Sequence, residues 1–180
     1  MIDDEKQLIL DAMRGGGAEP FGVLYDRHHQ RIYRYVYLKV TNREEAEDLT
    51  HQVFLSAWQN LKTYRFQGLP FSSWLYRIAR NKIIDYYRTR QTHETLEHAE
   101  TLLVSASKNP ADRADDVFAM ERVRAAIRRL PADQQDVVIM RFVSDMPYRD
   151  VAAAIGKTEG AVKVIQHRAL KKLKEILNIK

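Results

Sequence analysis

A chain of 180 residues with 45% hydrophobic and 29% charged side chains, 7 Gly and 5 Pro has the balance of a folded, mainly helical protein, long enough for one domain or two small ones. It has no cysteine, which excludes disulfides and thiolate-bound zinc or iron–sulfur centres. The acidic start MIDDEKQLIL lacks the order of a signal peptide, and no apolar run reaches membrane-spanning length, so a soluble cytoplasmic protein is expected.

The net charge of +5 is unevenly spread: residues 1–90 carry 14 Lys/Arg against 11 Asp/Glu, residues 91–116 carry 2 against 6, and residues 117–180 carry 13 against 7. Two basic blocks flank an acidic one. The pattern predicts two surfaces facing a polyanion and a middle segment that is repelled by one or imitates one.

In chain order, Lys6 to Met13 predicts a short helix stopped by Gly15, Gly16 and Gly17. After Pro20, the residues Phe21, Leu24, Tyr25, His28, Ile32, Tyr35, Val36 and Val40 repeat at helical spacing and mark a core helix. His28 and His29 are adjacent and so point to different sides, which rules them out as an i, i+4 metal pair. A capping box, Thr41 with Glu44 or Asn42 with Glu45, opens a third helix whose acidic first turn suits the helix dipole. Its Ala46, Leu49, Val53, Ala57 and Leu61 form an inward seam, leaving Asp48, Gln52 and Lys62 exposed.

The loop KTYRFQGLP places Phe66 just ahead of the next helix. There the ring either walls a pocket for a flipped base or packs into the domain. The stretch FSSWLYRIARNKIIDYYRTR, Phe71 to Arg90, reads as a helix capped by Ser72 or Ser73. Leu75, Ile78, Ala79, Ile83 and Tyr86 turn inward. Arg77, Arg80, Asn81, Ile84 and Arg88 share another face, edged by Trp74 and Tyr87. That face is either a nucleic-acid surface, with arginines for phosphates, an amide for a base edge and rings for stacking, or the solvated back of a core helix.

From Gln91 to Asp116 the chain is acidic, weakly periodic and broken by Ser, Asn and Pro, as a linker would be, although Leu96, Leu102, Leu103 and Val104 offer docking points. His93 and His98 lack a third metal ligand at useful spacing. Helices then follow at Asp116 to Leu130 and Asp133 to Val143. Next comes PYRDVAAAIG, the turn KTE, and GAVKVIQHRALKKLKEIL. Gly156 suits a left-handed turn residue. Val162, Ile165, Ala169, Leu173 and Ile176 line the buried side of the last helix. Gly160, Lys163, Val164, His167, Arg168 and Lys171 line the other. The layout is that of a helix-turn-helix with a groove-reading second helix, the alternative being a helical hairpin with a basic tail.

Four stretches together carry a resemblance: EEAEDLTHQVFLSAW, FSSWLYRIARNKIIDYYR, LPADQQDVVIMRFV and YRDVAAAIGKTEGAVKVIQHRALKKL. The chain resembles the extracytoplasmic-function group of bacterial sigma factors, the two-domain members of the sigma-70 superfamily, over nearly its whole length. The resemblance implies an all-α protein of two small helical domains, residues 1–91 and 117–180, joined by an acidic linker, residues 92–116. It implies that the helix from Glu44 to Trp58 docks on the clamp of core RNA polymerase through Asp48, Gln52, Val53 and an exposed Phe54. Promoter DNA is the second implied partner. Phe66, Trp74, Arg77, Arg80, Asn81, Ile84 and Arg88 would take the minus-ten element as a single strand, with Phe66 and Asn81 lining a base pocket. Thr158, Lys163, Val164, His167, Arg168 and Lys171 would read the minus-thirty-five element as duplex. The linker would thread toward the polymerase active-centre and RNA-exit channels.

Two basic DNA faces also call for a masking partner, such as an anti-sigma factor. No metal, cofactor or small-molecule substrate is implied. A free-standing DNA-binding regulator would need neither the clamp-like helix nor the aromatic, cationic one. A nucleic-acid enzyme would need a carboxylate cluster, nucleophile–base pair or phosphate loop that the sequence does not offer in a convincing context.

Overall fold

A computed structural model describes residues 2–14, 18–40, 42–66, 68–94 and 114–178. Among them the only regular elements are helices: α1 (Ile2–Met13), α2 (Ala18–Lys39), α3 (Arg43–Asn60) with a 3-10 turn at Leu61–Thr63, α4 (Phe71–Glu94), α5 (Ala114–Arg128), α6 (Ala132–Val138) continued by a π turn at Ile139–Val143, α7 (Tyr148–Ile155) and α8 (Glu159–Leu177). The expected stop at Gly15–Gly17 and most of the expected linker, residues 95–113, lie outside the described residues. The linker's first and last residues are helical, since α4 runs on to Glu94 and α5 begins at Ala114.

The first four helices form one bundle. In α3 the seam Ala46, Leu49, Val53, Ala57 and Leu61 is buried along its whole length, as its spacing of three and four requires. Asn42 caps this helix, its side chain accepting the Glu45 amide at 2.8 Å. Glu45 does not return the bond of a capping box, because its carboxylate meets Arg90 of α4 at 3.1 Å. In α4, Phe71, Leu75, Tyr76, Ala79 and Ile83 are buried. The expected serine cap is absent. The helix begins at Phe71, the Pro70 carbonyl takes the Ser73 amide at 3.0 Å, and Ser73 is buried with its hydroxyl unpartnered. Proline ahead of the helix presets the entry without a polar cap.

The last four helices form the second bundle, α8 packing on α5, α6 and α7. Gly156 turns the chain at φ +68°, the left-handed conformation expected of it. Thr158 caps α8, accepting the Ala161 amide at 3.2 Å. The helix expected to reach Val143 changes pitch at Ile139, and Phe142 is 56% exposed. The wider turn rotates it off the apolar stripe.

The two bundles pack together. α4 lies against α7, and α2 against α5 and the π turn. One apolar cluster runs through both halves.

Candidate nucleic-acid interface

The basic face of α4 is only partly open. Arg88 and Arg77 are exposed, as are Asn81 and Ile84, so four of the expected strand-contacting side chains do share one solvent-facing stripe. Arg88 has an ion pair to Asp85 at 3.2 Å. Trp74 is half-buried among rings, 5.3 Å from Tyr64 and 5.4 Å from Phe71. Arg80 behaves differently. Its Nε donates to Asp136 at 2.8 Å and its NH2 donates to Asp133 at 2.8 Å, both in the second bundle.

Asp136, itself without solvent access, is the centre of a hydrogen-bonded network. Besides Arg80 it accepts from the Tyr35 hydroxyl at 2.6 Å and from the Lys39 ammonium. Burial pulls the Lys39 pKa below its ordinary value although Asp136 works against it. The Tyr35 hydroxyl is pushed well up by burial and by the Asp136 charge. Partial burial opposes the Arg80 charge, but its bonds to Asp136 and Asp133 outweigh that and raise its pKa. A buried charge is tolerated only when paired and hydrogen-bonded. Here one carboxylate serves two cations and a phenol.

Further bonds cross between the bundles beside this network. Arg77 donates to the Ala153 carbonyl at 2.5 Å, Tyr76 to the Ser144 hydroxyl at 2.7 Å, and Arg149 to the Gly68 carbonyl at 3.0 Å. Arg124 reaches back to the Val40 carbonyl at 2.9 Å and lies 3.8 Å from the Tyr37 ring centre.

The loop before α4 borders two cavities. One of ≈ 170 Å³ lies among Tyr64, Arg65, Trp74, Arg77 and Ala153. The other, ≈ 490 Å³, lies among Lys6, Tyr64, Phe66, Phe71 and Asp150. Phe66 is 41% exposed, stands edge-on to Tyr64 at 5.1 Å and has the Lys6 ammonium 5.6 Å from its ring centre. Asn81 borders neither cavity, so this conformation does not bring Phe66 and Asn81 to one pocket.

On α8, Val162 and Ala169 are fully buried while Lys163, Val164, His167, Arg168 and Lys171 are all exposed on the opposite side. The Lys163 ammonium lies 5.4 Å from the Tyr148 ring centre, where Arg141 also stacks at 4.2 Å. Thr158 is exposed at the turn, occupied as the cap.

On α3, Asp48 and Gln52 are exposed as expected. Phe54 is not: it is 3% exposed, as Val53 is 0%, because α3 is packed between α2 and α4 and the ring meets Tyr25 of α2 at 4.6 Å. The outward strip continues instead through Leu55, 57% exposed. Leu55 went unnoticed in the sequence, although its offset of three from Gln52 places it on the same strip.

The two bundles coincide with two family models: Sigma-70 region 2 matches residues 24–93, and Sigma-70, region 4 matches residues 120–173. The ECF RNA polymerase sigma factor SigM of Mycobacterium tuberculosis (strain ATCC 25618 / H37Rv) is 30% identical over 169 residues, covering 94% of this chain and 83% of SigM. The chain belongs to the ECF group of the sigma-70 family. The ECF sigma factor BldN of Streptomyces coelicolor is 33% identical over 170 residues, and this ECF chain spans 64% of BldN's length. Among solved structures, the sigma factor RpoE in complex with the anti-sigma factor NepR from Bartonella quintana matches with a TM-score of 0.72 at 21% identity, covering 89% of this chain and 98% of that one. At that identity the likeness establishes the two-bundle sigma fold.

No helix among the described residues is long and apolar enough to cross a membrane, and none of their His, Asp and Glu residues group as metal ligands.

Proposed function

We propose that this ECF chain acts in the cytoplasm, without catalysing a reaction itself, as the promoter-specificity subunit of RNA polymerase. Its first domain, residues 1–91, docks on the core enzyme through the outward strip of α3, with Asp48 and Gln52 as contacts. The α4 face and the Phe66 loop take the minus-ten element as a single strand. Stacking and hydrogen bonds there offset the few kcal/mol or so needed to unstack a base, so recognition is coupled to strand opening. The second domain, residues 117–180, reads the minus-thirty-five duplex with α8, and the acidic segment 92–116 runs between them along channels meant for nucleic acid. An anti-sigma factor holds the chain inactive.

The observation that carries this reading is the two-sided character of α8: Val162 and Ala169 fix its back, while short and cationic side chains stand exposed on its front, the division a groove-reading helix needs. The test is transcription by core polymerase reconstituted with this chain, followed by sequencing of the transcripts. A shared pair of promoter elements is expected. Lys163→Ala and Arg168→Ala should each weaken use of the upstream element by about 1–3 kcal/mol if they touch bases. Failure to co-elute with core polymerase, or tight promoter binding without it, would instead mark a free-standing DNA-binding regulator.

A further inference from the structure

The larger cavity beside the Phe66 loop, ≈ 490 Å³, has the size of a small-molecule site. Three parts of the chain wall it: α1 brings Glu5 and Lys6, the loop and the start of α4 bring Tyr64, Phe66 and Phe71, and α7 brings Asp150. The three rings form a corner. Phe66 and Phe71 stand nearly perpendicular to Tyr64, at 80° and 86°, with ring centres 5.1 and 5.4 Å from its own. Aromatic faces attract cations through the ring quadrupole. The Phe66 face is open to one, since the Lys6 ammonium lies over it, 5.6 Å from the ring centre.

The carboxylates at the cavity add attraction of the same sign. Asp150 is half-buried, and among the described residues its carboxylate has neither a hydrogen bond nor an ion pair. Burial pushes its pKa up while the Arg149 charge pulls it down. Glu5 meets His28 Nε2 at 3.1 Å through one oxygen, and its charge helps to raise the Tyr64 hydroxyl, so it stands close to the rings. Of the cations beside the cavity, Arg149 donates to the Gly68 carbonyl at 3.0 Å and Lys6 has no ion pair, so neither is bonded to Asp150. A hard metal ion would want about six oxygens, more than these two side chains supply. A weakly hydrated organic cation uses rings and carboxylates together.

We infer that this cavity is a binding site for an aliphatic ammonium, seated on the Phe66 and Tyr64 rings with its charge met by Asp150 and Glu5. The Lys6 ammonium is an internal stand-in that the ligand displaces from the Phe66 ring. The inference does not depend on assigning the Phe66 loop to the minus-ten strand, so it is tested apart from transcription.

The test uses the full chain and two probes, choline and spermidine, with neohexanol as the uncharged isostere of choline. Saturation-transfer NMR detects contact, and titration at fixed ionic strength gives affinities. Saturable binding of at least one ammonium probe is expected, with neohexanol weaker by about fivefold or more. Asp150→Asn and Phe66→Leu should each weaken binding by about threefold or more, and Lys6→Met should strengthen it by removing the competing ammonium. Circular dichroism checks that these variants stay helical. Choline ahead of spermidine marks a quaternary ammonium as the ligand class, and the reverse order marks a polyamine. No saturation by either probe overturns the site. Equal binding of neohexanol overturns the ammonium assignment, and affinity indifferent to both Asp150→Asn and Phe66→Leu places the probe elsewhere and overturns it as well.

Discussion

Removing the charge from Asp136 should cost far more than removing the charge from Lys39, although the two are ion-pair partners. The Lys39 and Asp136 side chains keep 4% and 1% of their exposure, so neither can turn to water while the bundles stay together. In Asp136→Asn, Lys39 keeps an amide oxygen and the Tyr35 hydroxyl at 3.4 Å as acceptors but loses its counter-charge, and an uncompensated buried ammonium costs about 3–5 kcal/mol. In Lys39→Met, Asp136 still accepts from Tyr35 at 2.6 Å and from Arg80 at 2.8 Å. The loss is then one charge-assisted hydrogen bond, partly offset by the desolvation no longer incurred, about 1 kcal/mol net. The double variant leaves an amide that still accepts from Tyr35 and no buried ammonium, so it should be more stable than Asp136→Asn alone.

Urea unfolding at pH 7, followed by Trp58 and Trp74 fluorescence and by far-UV circular dichroism, measures all four proteins. Because the pair joins two bundles, the chain can also escape by separating them and wetting Lys39, which caps the penalty at the strength of the contact. That outcome shows as a fluorescence change without loss of helix. Equal and additive costs for the two single variants would refute the network as drawn.

Two other expectations follow from local features. Gly156 sits at φ +68° with open space where a Cβ would stand, so Gly156→Ala should lose only the backbone term, about 1–2 kcal/mol, in thermal unfolding, and Gly156→Asn should lose less; a cost above the backbone term would point to an unseen clash. Burial, with Glu5 adding to it, holds the Tyr64 hydroxyl at about 12, above the unfolded value of about 10. The folded chain therefore keeps this proton while the unfolded chain releases it, so stability should be level below pH ~10 and fall as pH rises toward ~12. Tyr64→Phe should flatten part of that decline in alkaline urea titrations, Tyr86 supplying another part because burial also raises it to about 12. An unchanged decline would exclude Tyr64 as a source.

What the sequence revealed and what it hid divide by the distance over which the cause acts. The α3 seam, the Asn42 cap, the left-handed Gly156 and the two-sided α8 are decided within a turn or two of chain, and the spacing of residue types is enough to read them. Phe54 misled because it lies beside a correct seam: which flank of a helix is covered depends on where its neighbours pack, and here α2 closes over it. The serine cap failed for a local reason, since Pro70 had already set the entry. Lys39 and Asp136 are 97 residues apart, and nothing in either neighbourhood names the other. A trace was present nonetheless. Lys39 follows Ile32 and Tyr35 at offsets of seven and four, on the stripe that must be buried, and lysine is almost never fully buried without a partner. A lysine on an apolar stripe thus predicts a distant carboxylate, without saying which.

The same consideration explains why the position facing that carboxylate from α4 is an arginine. Concentrated positive charge on a helix face needs counter-charge from solvent ions or from the protein. The second domain supplies it from within a basic block, where 13 Lys/Arg stand against 7 Asp/Glu, by aiming two of its few carboxylates at one guanidinium. Nε takes Asp136 and NH2 takes Asp133, two separated acceptors held by one planar fork. A lysine ammonium is a point charge with no such fixed fork. Lys39, deeper in the contact, needs only to be neutralised and can be a lysine. Arg80, partly open to solvent, spans two separate carboxylates, which suits a planar side chain that stays charged.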